Sequence, residues 1–200
     1  MNYVEIEMTD TDVANFRASL LHIGILWAIE SDAPAEPVVW ASFAPHAYNY
    51  FHWHDDYAVY ESSAPPPSGG GHVDVYAQTL TSRDGRSYCF DANWFHEVPG
   101  ATPDRFRVTN QLGRDAWFGL SASAVVNGMQ LGGPLNVAQV GNGQTAAFAL
   151  TPRLHVFATQ LATGYTTGGM PANARPVEFA NRSRVAVAFN PNDGLFHQTA

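Results

Sequence analysis

The chain has 200 residues and carries ten arginines and no lysine against 18 Asp plus Glu, for a formal charge of −8. Without lysine there is no Schiff-base chemistry, no pyridoxal phosphate attachment and no phosphate loop ending in Gly-Lys-Ser/Thr, and an acidic chain lacks the basic footprint that nucleic acid requires. Hydrophobic residues at 46% and aromatics at 12% are enough for one sizeable core, so one domain is expected over residues 1–200.

At the N-terminus Val4, Ile6 and Met8 alternate with Glu5 and Glu7, the pattern of a half-buried strand. Thr9-Asp10-Thr11-Asp12 can cap a helix. The spacing of Val13, Phe16, Leu20, Ile23 and Trp27 predicts an amphipathic helix ending before Ser31, although the crowded 20–29 run would serve equally well as a buried strand. The polar, acidic residues 1–10 do not resemble a signal peptide, and the 20–29 run is about half the length of a membrane span. No membrane association is expected.

From Val38 the chain turns to short β-rich segments, expected at 38–43, 48–54, 57–61, 73–80, 86–91, 106–111, 117–126, 135–140, 145–150, 154–159, 177–179 and 185–190. Asp84-Gly85 reads as a tight hairpin, and Asn127-Gly128, Gly141-Asn142-Gly143 and Asn192-Asp193-Gly194 read as further turns. Strands at roughly ten-residue spacing with few helices predict a mainly β fold, an antiparallel β-sandwich with one N-terminal helix. The Pro/Gly-rich stretch 65–71 is expected to be a surface loop within it.

Cys89 is the only cysteine, so no intrachain disulfide can form and a reducing cytoplasm is the simpler compartment. Asn181-Arg182-Ser183 matches a glycosylation sequon, which has no use there. The chain lacks a Gly-x-Ser-x-Gly elbow and a dinucleotide fingerprint, so neither nucleophilic hydrolysis nor a dinucleotide cofactor is indicated. Few charges interrupt the residues after Ala116, which read as scaffold whose strand edges could pair in a homo-oligomer.

The chemical signal is concentrated in Tyr48-Asn49-Tyr50-Phe51-His52-Trp53-His54-Asp55-Asp56-Tyr57. In a strand Tyr50, His52 and His54 share one face, and Phe51, Trp53 and Asp55 the other. Two imidazoles on one face can reach one divalent metal, with Asp56, Glu61, His72, Asp74, His96 or Glu97 to complete the set; His72 and His96 flank strands that could lie beside this one. The histidine pair is similar to the opening of the cupin metal motif. Ala58 and Val59 stand where that motif carries glutamate, so no ligand set is transferred.

Tyrosine and tryptophan offer flat amphipathic surfaces, so Tyr48, Tyr50, Trp53 and Tyr57 with His52 and His54 are candidate contacts for a planar ligand. With that stretch and the lysine-free β half, the chain resembles small intracellular proteins of mushroom-forming fungi, the pigment-holding chromoproteins of oyster mushrooms among them. The resemblance implies a bound aromatic chromophore and assigns no residue. The resulting expectation is a binding protein for a planar oxygenated aromatic molecule, with a divalent metal as a possible bridge between imidazoles and ligand. A metal-dependent enzyme acting on a phenol or quinone, and a lectin stacking the same aromatics on sugars, are the alternatives.

Overall fold

In the computed structural model, which describes residues 1–62, 64, 70–92, 94–179 and 182–199, the chain begins with strand β1 (Asn2–Glu7). The Thr9 hydroxyl then accepts from the Asp12 amide while the Asp12 carboxylate accepts from the Thr9 amide, a reciprocal cap that starts helix α1 (Asp10–Ala18). The helix ends there, and Leu20 follows with φ 55°. Residues 22–31 form a strand, β2 (His22–Ser31), not the continuation of the helix that the apolar spacing predicts. The cause is two-sided burial. Ile23, Gly24, Ile25, Leu26 and Trp27 are consecutively buried, as in a central strand covered on both faces, and a Cβ on Gly24 would lie only 2.7 Å from the Phe157 ring.

The remaining elements are β3 (Ala35–Pro37), β4 (Ala41–Phe43), β5 (Tyr48–Ser62), β6 (Val75–Gln78), β7 (Ser87–Asp91), β8 (Trp94–Val98), β9 (Arg105–Asn110), β10 (Ala116–Val126), β11 (Met129–Pro134), β12 (Asn136–Val140), β13 (Thr145–Thr159), β14 (Arg175–Glu178), β15 (Arg184–Asn190) and β16 (Leu195–Thr199). They form two sheets in a sandwich-like arrangement, as expected. One runs β16-β15-β1-β5-β10-β12-β3, with β11 on β10 and β6 on β5; the other runs β4-β2-β13-β9-β7-β8, with β14 on β13. Pairing is antiparallel apart from β1 with β15 and β7 with β9. Among the described residues no helix is long and apolar enough to cross a membrane.

Several boundaries differ from the sequence reading. Segments 48–54 and 57–61 are one strand, β5, and 145–150 and 154–159 are one strand, β13; each carries a ladder irregularity where the pattern breaks. β8, β11 and β16 had no strong alternation to reveal them. Asn127 and Gly128, with φ 50° and 83°, make the two-residue turn joining β10 to β11, as their left-handed preference predicts. Asp84-Gly85 is not a hairpin: β6 before it belongs to the first sheet and β7 after it to the second. Residues 65–69 of the Pro/Gly-rich stretch and Asn181 of the sequon lie outside the described residues.

The two sheets meet around an aromatic cluster. Trp27 from β2 lies edge-on to Trp53 and Tyr57 of β5, with ring centroids 5.3 and 5.6 Å away, and Trp40 packs edge-on to Phe51 and Trp53. Three of the polar tips are satisfied by backbone: Trp27 Nε1 donates to Thr151 O, Trp40 Nε1 to Ala122 O and the Tyr60 hydroxyl to Asn136 O, whereas the buried Trp53 Nε1 has no hydrogen-bond partner among the described residues. Most of the aromatic concentration between residues 40 and 60 therefore serves the core. Trp40, Phe43, Phe51, Trp53, Tyr57 and Tyr60 are buried, while Tyr48 and Tyr50 face outward.

Candidate functional site

The first half of β5 alternates as the sequence predicts: Asn49, Phe51 and Trp53 are buried, and Tyr48, Tyr50, His52 and His54 turn to the outer face. Asn49 anchors the entry to the strand, donating to Ile6 O and His46 O and accepting from the His46 amide. On the β1 side His52 stands opposite Tyr3, and on the β10 side opposite Val125. The Tyr3 and His52 rings are nearly parallel, 13° apart with centroids at 6.2 Å, and the Arg184 guanidinium sits over the Tyr3 ring, 5.6 Å from its centroid.

The alternation then breaks. Trp53 pairs with Ala124 and Tyr57 with Ala122, so His54, Asp55 and Asp56 stand against Ser123 alone. Such a bulge bends the strand and re-aims its side chains. Its effect here is a hollow of about 430 Å³ into which His52, His54 and Asp56 project, together with an edge of Trp53. The other walls come from Ser123, Ala124 and Val125 of β10, Gln130 of β11 and Thr81, whose segment is held against β5 by the Tyr57–Ser82 backbone pair.

The polar groups around the hollow are differently constrained. Asp55 is turned away and fixed: its Oδ1 accepts from Asn2 Nδ2 at 2.6 Å and from the Tyr57 hydroxyl at 3.1 Å. Burial, reinforced by the Asp55 charge, pushes the Tyr57 hydroxyl far above its ordinary range, so Tyr57 is a neutral donor at all physiological pH values. Asp56 is half-exposed and faces Arg83 at 3.9 Å, a loose pair. His52 Nδ1 is closed off from solvent and has no hydrogen-bond partner among the described residues.

Of the six ligand candidates read from the sequence, His52, Trp53 and His54 line the hollow. Tyr48 and Tyr50 lie on the adjoining outer surface beside Glu5 and Glu7, at a smaller depression of about 130 Å³, and Tyr57 belongs to the core. The five metal candidates are not brought together. His52, His54 and Asp56 share the hollow, but His72 is ion-paired with Asp74 and His96 with Asp91, and neither lines it. Glu61 is buried under the sheet, Asp74 is engaged by His72, and Glu97 is engaged by Arg86. Among the described residues no three His, Cys, Asp or Glu side chains are placed to hold one metal ion. Thr81, Ser123, Val125 and Gln130 were not legible as site residues. Only strand pairing brings them to β5, and their composition carries no signal.

The hollow brings imidazole, carboxylate, hydroxyl and amide groups together over an apolar wall. The chain matches no protein-family model, no curated protein and no solved structure.

Proposed function

We infer that the protein binds a small planar oxygenated aromatic molecule in the hollow beside His52 and His54. The observation that carries this reading is the hollow itself: the two imidazoles open onto a concavity of about 430 Å³, not onto a convex surface or into the closed core. That volume lies within the range of small-molecule sites, and the mixture of an apolar wall with a few convergent polar groups is typical of them. With Nδ1 of His52 sealed and unpartnered, the tautomer protonated at Nε2 leaves only a lone pair buried, a smaller cost than a buried N–H. His52 then offers an Nε2–H donor to a ligand oxygen. His54 and Gln130 supply further hydrogen bonds, and Val125, Ala124 and the Trp53 edge supply apolar contact. The reading requires no metal, since the imidazoles can bond ligand oxygens directly.

The test is a titration of the full chain with 1,2-dihydroxyanthraquinone, followed by quenching of tryptophan emission and by the absorption band of the dye. Saturable binding is expected, unaffected by EDTA, and the His52→Ala/His54→Ala variant is expected to lose about tenfold or more in affinity with its circular dichroism unchanged. Equal affinity in the variant, or no binding by the wild-type chain, would remove the hollow from consideration.

A further inference from the structure

A second concavity lies away from His52, where the two sheets come together at their margins. Among the described residues β6 pairs only with β5 on the first sheet, and β8 is the last strand of the second. Between them is a cleft of about 810 Å³ lined by Tyr76 and Gln78 of β6, Tyr88 of β7, and Trp94, Phe95 and Glu97 of β8. Its base is firm. Phe95 packs against Phe90 at 4.5 Å between centroids and edge-on against Tyr88 and Phe118, so it is seated on the core. Its rim is not: Trp94 is 72% exposed and Tyr76 61%. Neither ring is covered by the described residues, although β8 places Trp94 one residue from the well-packed Phe95.

We propose that this cleft is a carbohydrate-binding site, taking a neutral oligosaccharide between Trp94 and Tyr76. The charge balance selects the class. Glu97, the one carboxylate among the described residues of the lining, is ion-paired with Arg86, so the cleft offers no unpaired charge to an ionic ligand. The surface chemistry selects further. Exposed indole and phenol faces match the C–H faces of pyranose rings, and the Gln78 amide, free of any hydrogen bond to the described residues, offers both a donor and an acceptor to hydroxyl groups that are themselves both. A wholly apolar ligand would bury that amide and the two phenol hydroxyls without partners, which opposes binding. The site shares no residue with the His52 hollow and does not depend on what that hollow binds.

Isothermal titration of the full chain with cellopentaose, laminaripentaose, mannopentaose and chitopentaose tests it. Binding of at least one is expected. Trp94→Ala and Tyr76→Ala, both at exposed positions that leave Phe95 in place, should each weaken it by about tenfold or more, and His52→Ala/His54→Ala should not change it. The proposal is overturned if the wild-type chain binds none of the four, if binding survives in the Trp94→Ala/Tyr76→Ala double variant, or if the histidine variant abolishes it.

Discussion

The phenol ring of Tyr3 lies almost parallel to the imidazole of His52, one strand away. A residue two places from the chain start thereby limits how a side chain at the hollow can turn. Removing the ring frees His52 without touching the hollow. Tyr3→Ala is expected to weaken 1,2-dihydroxyanthraquinone binding by about threefold to tenfold, the equivalent of the roughly 0.5–1.5 kcal/mol carried by an aromatic pair. The thermal midpoint should fall by much less than a core substitution would cause, and titrations of the two chains side by side will check both.

Glu61 is 1% exposed, its Oε2 has no hydrogen-bond partner among the described residues, and burial raises its carboxyl above the usual range despite the opposing pull of Arg114. A raised folded-state value means the neutral form is favoured in the fold. Its stabilisation is complete below the ordinary carboxyl range and is lost as pH rises through the folded value. Glu61→Gln should therefore raise the midpoint near neutral pH by a few degrees, about 1 kcal/mol at this chain length. The gain should vanish in acid, where the wild-type carboxyl is already protonated. A pH series of thermal melts reads this directly, and a gain of equal size at all pH values would contradict it.

Gly119 of β10 sits where the Asn136 carbonyl crosses at close range. A Cβ there would stand 2.0 Å from that oxygen and 2.8 Å from the Tyr60 ring, whose hydroxyl donates to the same carbonyl. Backbone cannot swing aside as a side chain can. Gly119→Ala is expected to destabilise the protein by about 2–3 kcal/mol, measurable as a lower urea midpoint. Gly143, where an added Cβ meets nothing but has φ 75°, should lose less on the same change.

Trp53 shows one edge to the hollow and the rest of its indole to Trp27, Trp40 and Phe179. Trp53→Phe should therefore cost stability before affinity. We expect a loss of about 1–3 kcal/mol in chemical denaturation, with dye binding at low temperature reduced less than threefold. The reverse ranking would show that the indole belongs to the site more than to the core.

The strand period decided much of this protein before any contact was known. Alternation in 48–54 was enough to put Tyr50, His52 and His54 on one face and Phe51 and Trp53 on the other, because side chains on a strand can only alternate. The Thr9–Asp12 cap and the Asn127-Gly128 turn were equally legible, being local hydrogen bonding and left-handed backbone preference. Where the outcome depended on distant partners, the sequence was silent or misleading. The 20–29 run became a strand because β13 on one side and β4 on the other had pairing to offer. His72 and His96 went to aspartates near them in sequence, away from His52. The hollow arises from register, from two extra residues of β5 set against Ser123, and the second cleft from the meeting of two sheet margins. Pairing between segments tens of residues apart is a sum of packing choices over the whole chain, and no local pattern records it.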